Sequence, residues 1–365
     1  MADELFLSEG GLRPLLDSID CSRKVANARI ESDSERIAGT RLWLPLNEAT
    51  HEQVSAGLRS ARPVNSFKGV LLPVREMVAR YGKTESGDPL QELSGQSVAL
   101  IGMRGCECRA LGYLDKVMLG EPTADPFYQE RRSRCVVISV DCVLAAESCF
   151  CNLYGEKAYP ESGFDVNLSP VQTGYVVTAG SEAGKKILEQ NMQLLAPATA
   201  GQLKARRAMQ EKTADQLAAR NAEYSQAGEL AQNLPQTLDE VFWCTELAEC
   251  VQCGGCTAVC PTCYCFLLCD RQEEPGSYAR SRVWDSCQFT GYSQMAGPPG
   301  TRKPDPRRDH MSKFQRRFAH KLWHDVKVNQ MFGCVGCGRC RETCPGAIDL
   351  RRVITRINSV RAINA

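Results

Sequence analysis

The run CVQCGGCTAVCP begins at Cys250 and returns as CVGCGRCRETCP from Cys334. Both copies read C-x2-C-x2-C-x3-C-P, and no other feature constrains the chain as tightly. Three thiolates spaced by two residues can wrap three irons at the corners of one cube. The fourth, held beyond a short turn and directed by Pro261 or Pro345, points away. This is the bacterial ferredoxin spacing for a 4Fe–4S cluster, and in two-cluster ferredoxins the fourth cysteine binds the other cluster. The expected ligand sets are therefore crossed: Cys250, Cys253, Cys256 and Cys344 for one cluster, and Cys334, Cys337, Cys340 and Cys260 for the other. Gly254, Gly255, Gly336 and Gly338 would let backbone N–H groups approach the cluster sulfurs. Structural zinc is the alternative, but it usually takes two separated C-x2-C pairs around one tetrahedral ion. Two cubanes that share ligands lie close together and relay single electrons. They offer no open position to a substrate, so the region conducts rather than catalyses.

The chain carries 20 cysteines in 365 residues, too long and too plainly non-secretory for a disulfide scaffold. Four more thiols form a plausible third quartet: Cys106, Cys142, Cys149 and Cys151. QSVALIG (96–102) and CVVISV (135–140) read as buried strands, with a helical pattern over 107–118 between them. Cys106 follows the end of the first strand and Cys142 the end of the second. Cys149 and Cys151 lie on the loop beyond. Parallel neighbours would bring these loops to one edge, so a third 4Fe–4S cluster is expected there, with buried free thiols or zinc as the alternatives. Cys135 reads as core. Cys263, Cys265, Cys269 and Cys287 read as packing or tuning groups, with another cluster or a redox pair on the electron path as the alternatives, and Cys21 and Cys244 as structural.

Strand–helix–strand order gives an α/β domain over residues 1–180. A helical connector over 181–240 is rich in Ala, Gln, Glu, Lys and Arg, with a helical layer of the first domain as the alternative. An α+β, ferredoxin-like two-cluster domain over 241–365 completes the chain, with a basic insertion at about 288–330. That insertion holds Arg302, Lys303, Arg307, Arg308, Lys313, Arg316, Arg317 and Lys321 against Asp305 and Asp309. It reads either as a solvated loop leading into a helix, or as a cover for the clusters or a dock for an acidic partner.

Net charge is +1, which argues for neither nucleic acid nor an anionic membrane as partner. No apolar run approaches the roughly 20 residues of a membrane span. The acidic, polar N-terminus lacks signal-peptide character, so a cytoplasmic protein is expected. His320 and His324 share i, i+4 spacing but read as surface or packing residues. No G-x-G-x-x-G follows a strand, so no dinucleotide fingerprint is present.

PTCYCF after the first run, WDSCQF (284–289), RRFAHKL (316–322) and GCVGCGRC (333–340) together resemble one family. It comprises the β subunits of soluble nickel–iron hydrogenases (sulfhydrogenases) and the A subunit of anaerobic sulfite reductase. NSFKGVLLP (65–73), VALIGMRGCECRAL (98–111) and SCFCNLYG (148–155) are similar to its N-terminal domain. The resemblance implies a hetero-oligomeric electron-transfer subunit. Its partners would be a flavin subunit that exchanges with NAD(P)H and a catalytic metalloenzyme subunit, in a hydrogenase, a sulfite or sulfur reductase, or a heterodisulfide-reductase-type complex. It implies no flavin on this chain; a self-contained flavin-binding iron–sulfur reductase is the alternative. The chain departs from the family at Gly105 and Glu107, where proline and aspartate are usual, and in the extra thiol Cys108. Either Cys106 or Cys108 could then be the ligand. Residues 200–232 lie outside the resemblance.

Overall fold

In the computed structural model, the described residues are 4–29, 40–82, 87–227, 239–294, 307 and 309–364, the last four as backbone only. Nine strands belong to the N-terminal half: β1 Leu5–Ser8, β2 Arg23–Arg29, β3 Arg41–Pro45, β4 Arg75–Gly82, β5 Val98–Met103, β6 Cys135–Val140, β7 Val166–Val171, β8 Gly174–Ala179 and β9 Leu195–Pro197. All but β4 form one mixed sheet in the order β3-β2-β5-β6-β7-β8-β1-β9. Its centre, β2-β5-β6-β7, is parallel. Strand β5 is buried along its whole length, the mark of a strand covered on both faces.

Strands β5 and β6 run parallel with Val98 beside Cys135 and Ile101 beside Ile138. Their C-terminal loops therefore open on the same edge, as the sequence predicts. Arg104, fully buried, ties that edge together. Its guanidinium donates to the carbonyls of Leu58 (2.9 Å), Asp141 (3.1 Å), Gly57 (2.8 Å) and Ser60 (3.0 Å). Cys106 and Cys142 follow the two residues it joins, Arg104 itself and Asp141.

The stretch after β8 lies against this sheet. Strand β9 pairs with β1. The helix Ala200–Arg220 starts with a Thr199/Gln202 capping box. It then reaches back to the cysteine loop: Gln210 donates to Asp141 at 2.7 Å, and Arg220 to the carbonyls of Ala145 and Ala146 at 3.1 and 2.7 Å. Asn221, just past the helix, donates to the carbonyl of Cys149 at 3.0 Å. Pro235 and the end of the expected connector, residues 228–238, lie outside the described residues.

A second, three-stranded sheet joins the two halves of the chain. Strands β10 Phe266–Glu274 and β11 Ser277–Trp284 form a hairpin, and β4 adds to it in the order β10-β11-β4. The helix His310–Ala319, a π-helical turn at His320–His324 and the helix Asp325–Asn329 lead to the second cysteine run. Phe314 and Phe318 pack there with Phe242, Trp243 and the closing helix Leu350–Asn364. No helix among the described residues is long and apolar enough to cross a membrane.

Candidate metal centre

Each cysteine run turns through a glycine in the left-handed region, Gly254 at φ +70° and Gly338 at φ +72°, and then starts a four-residue helix. This geometry turns the chain around a small space. Cys250, Cys253, Cys256 and Cys344 line one cavity, with Gln288, Phe314 and Arg317 on its walls. Cys344, the last cysteine of the second run, therefore stands with the first three of the other run. Conversely, Cys340 has Cys337, Cys334 and Cys260 as neighbouring thiols, and Cys337 also faces Cys260. Cys340 lines the first cavity as well, so the two groups adjoin.

Burial pushes the Cys340 thiol up to about 12 and raises Cys337 too. Such thiols do not ionise unaided; a positive core or cationic neighbours must hold the thiolate. Cations are at hand. Lys313, Arg317 and Lys321 recur every fourth residue, and all three are buried. The described part of the basic stretch thus covers the thiols instead of standing in solvent. Arg302, Lys303, Asp305 and Arg308 lie outside the described residues. Burial disfavours the Arg317 charge, but the sulfurs of Cys256, Cys340, Cys263 and Cys260 outweigh it and favour the charged form. Lys321 donates to Thr262 Oγ1 at 2.8 Å and to the Gly333 carbonyl at 2.9 Å, beside Cys260.

Cubanes with four thiolates carry net negative charge, and this pocket is built to receive it. Arg317 Nε is buried without a hydrogen-bond partner among the described residues, as is Arg339 Nη1. Neither guanidinium is fully satisfied by protein among the described residues, and each leaves an N–H that the sulfur of a thiolate-ligated cluster would accept. Among the described residues no three His, Cys, Asp or Glu side chains converge as ligands of a single metal ion would; the first quartet rings a cavity instead. His320 pairs with Asp325 at 3.2 Å, and His324 packs against Trp323 with the rings tilted by 46°.

The N-terminal thiols stand beside the second run. Burial pushes Cys106 up, with Cys337 and Cys151 among its charged neighbours. Burial also pushes Cys142 up to about 12, beside Arg104 and Cys149. Cys151 faces Cys149 and Cys142. The four are thus brought together, and Cys149 Sγ lies 3.7 Å from the Cys337 carbonyl. Of the two candidates on the helix Gly105–Met118, Cys106 faces Cys337 and Cys151. Cys108 is buried in the apolar core with Leu111 and Tyr113, with Cys142 among its neighbours. Cys135 packs in the core of β6.

Two glycines of the second run serve this docking, a role their expected access to sulfur does not include. A Cβ on Gly336 would meet the backbone of Cys151 at 2.6 Å, and one on Gly338 the Ser148 carbonyl at 2.0 Å. Two buried arginines then cross the joint in opposite directions. Arg62 bonds the Cys337 carbonyl, donates to Ser148 Oγ at 3.0 Å and pairs with Glu342 at 2.9 Å. Arg339 donates to the carbonyls of Pro63 and Asn65 at 3.1 and 3.2 Å and pairs with fully buried Glu107 at 2.6 Å. Sequence reasoning missed Arg62, Lys68, Arg104, Arg339 and Glu342, because no spacing distinguishes a buried arginine from an exposed one. Glu107 was noticed only as a departure, and its position at the start of a helix after a buried strand was the available signal.

Residues 249–348 match the family described as a 4Fe–4S dicluster domain. The chain is also 31% identical, over 258 residues, to the sulfhydrogenase 2 subunit beta of Pyrococcus furiosus. The match covers 71% of this chain and 73% of that protein.

Proposed function

The chain belongs to the family of iron–sulfur β subunits of sulfhydrogenases, electron-transfer subunits that carry 4Fe–4S clusters, and we propose that it relays single electrons through three clusters between two partner subunits. One partner would be a flavin protein exchanging with NAD(P)H, the other a catalytic metalloenzyme subunit of a hydrogenase, a sulfite or sulfur reductase, or a heterodisulfide-reductase-type complex, in the cytoplasm. Residues 241–365 would fold around two clusters in the ferredoxin manner, with the crossed ligand sets Cys250, Cys253, Cys256, Cys344 and Cys334, Cys337, Cys340, Cys260. Cys106, Cys142, Cys149 and Cys151 would hold the third. Each cluster, when bound, takes up and releases one electron.

The observation that carries this reading is the unbroken row of thiols. It runs from the N-terminal loop through Cys337 to Cys340, which touches the cavity holding Cys344. Around that row the chain's own residues exclude water and balance charge: Arg62 and Arg339 at the joint, Arg317 between the two runs, and Lys321 beside Cys260. The experiment is Cys344→Ala in the full chain, purified without oxygen. Low-temperature spectroscopy of the reduced protein should lose the signal of the cluster held by Cys250, Cys253 and Cys256 and keep the other. Loss of the Cys334 cluster alone would refute the crossed sets. Stoichiometric flavin in the same sample would refute the relay without flavin and favour a self-contained reductase.

A further inference from the structure

Four cysteines between the runs, Cys263, Cys265, Cys269 and Cys287, belong to none of the quartets. The β10–β11 hairpin brings two of them together. Cys265 immediately precedes β10, and its carbonyl accepts the Asp285 N–H at 3.0 Å. A turn at Ser286 then carries Cys287 back over it. The Cys265 sulfur accepts hydrogen bonds from the thiol and the backbone N–H of Cys287 and from the Tyr292 hydroxyl. The Cys287 sulfur in turn accepts from Gln288 Nε2 at 3.4 Å. The bond from Cys287 prevails over burial and brings the Cys265 thiol down to about 5, while the Cys287 thiol is raised. A thiolate beside its protonated partner is the arrangement of a nucleophilic and a resolving cysteine.

The pair is also connected. Cys265 opens on a cavity of about 140 Å³ with Lys68 and Trp284 on its walls. Buried Lys68 donates to the Cys263 carbonyl at 2.9 Å, and the Cys263 thiol donates to Cys260 of the first run. The geometry points to a redox-active dithiol, Cys265 and Cys287, which closes to an intramolecular disulfide and reopens, exchanging two electrons with the paired clusters. This rests on the clusters of the proposed function. On closure the S–S bond forms, the Cys287 proton is released, and two electrons leave singly, one to each oxidised cluster. Reopening takes one electron from each reduced cluster and returns the proton to Cys287. The site would then be a two-electron store on a one-electron path.

The test uses the full chain, purified without oxygen, with its iron counted first. Samples poised with an oxidising dye or with dithionite are quenched in acid, alkylated, digested and weighed. The oxidised sample should give one cross-linked peptide containing Cys265 and Cys287, and the reduced sample should have both alkylated. Reductive titration of the dye-oxidised protein should consume about two electrons fewer per chain in Cys265→Ser than in the parent, the stoichiometry of a disulfide couple. Cys244→Ser, which removes an exposed thiol, should match the parent. Alkylation of both cysteines in both states with equal electron uptake would overturn the proposal. So would loss of iron in Cys265→Ser, which would make that residue a cluster ligand. A parent protein without iron would defeat the relay itself, and the alkylation pattern would still decide whether the pair closes.

Discussion

The two cysteine runs share one spacing and live in different surroundings. The first lies at the surface: Cys253 is exposed and Val251 is 67% exposed. The second is enclosed: Cys334 and Cys337 are 9% and 8% exposed and Val335 2%, under the Ser148–Cys151 loop. The motif therefore specifies the ligands, and the neighbours decide what the ligands are for. An exposed cluster site is a port at which a partner can dock. An enclosed one is an inner relay whose charge must be balanced by protein. The difference arises from the N-terminal half, which contributes Arg62, Glu107 and the Ser148–Cys151 loop to the second run. To the first run the N-terminal half contributes buried Lys68, which donates to the carbonyls of Thr257 and Cys263 at 3.2 and 2.9 Å.

The strongest way to break the comparison is at that joint. Arg339→Met leaves Glu107 charged and buried without its partner, which should cost roughly 3–5 kcal/mol. Thermal unfolding should fall steeply, and absorbance of the second-run cluster should be lost first. If the variant melts like the parent, the joint does not hold the second run.

The two left-handed glycines sharpen it next. A Cβ at Gly338 meets a backbone carbonyl at 2.0 Å, whereas one at Gly254 meets the ring of Phe289 at 2.4 Å. Phe289 is exposed and can swing aside. Both alanines bear a left-handed backbone strain of about 1 kcal/mol, but Gly338→Ala should cost roughly 2–3 kcal/mol in all and Gly254→Ala little beyond the strain. Equal losses in denaturant unfolding would place both runs in equivalent surroundings.

Arg317 tests the charge balance. Removing its charge near both runs disfavours the added electron by on the order of 1 kcal/mol at an effective dielectric of about 20, or roughly 40 mV for a one-electron couple. Arg317→Gln should shift the potentials of the two C-terminal clusters downward in a redox titration, while Arg316→Gln, off the buried face, should leave them in place. Unchanged potentials in both would remove Arg317 from the electrostatics of the clusters.

The smallest effect is a pH dependence. Burial would raise the Glu342 carboxyl, but Arg62 and Ser148 prevail and hold it below its ordinary value of 4.5. Its stabilisation is therefore present above that value and is lost as pH falls through the depressed one. Because the side chain is partly exposed, the effect should stay below about 1 kcal/mol. In Glu342→Gln the acid limb of the stability curve should flatten by that amount; an unaltered limb would show that the Arg62 contact carries no linkage.

Much of this was legible beforehand, for physical reasons that differ from element to element. CVVISV is β-branched and apolar throughout, so β6 could be read to the residue. The parallel pairing of β5 with β6 followed from the helix between them. The fixed ferredoxin spacing predicts a crossing of Cys260 and Cys344, and Cys344 does line the cavity of the first run. What could not be read was long-range. Strand β4 joins a hairpin some 190 residues later through backbone bonds, which carry no side-chain signature. For Lys313, Arg317 and Lys321 the sequence left open a solvated loop or a cover for the clusters, because charge normally seeks water. The gathered thiols explain why Arg317 and Lys321 turn inward. Glu107 and Arg339 are 232 positions apart, and neither signals the other.

The central claim is that the N-terminal thiols extend the metal chain begun by the two runs. Iron and acid-labile sulfide counted in the full chain, purified without oxygen, test it most directly. The account predicts about twelve irons per chain, four per cubane, falling to about eight in Cys149→Ser while the two C-terminal clusters keep their signals. About eight irons in both proteins would contradict it and return Cys106, Cys142, Cys149 and Cys151 to packing.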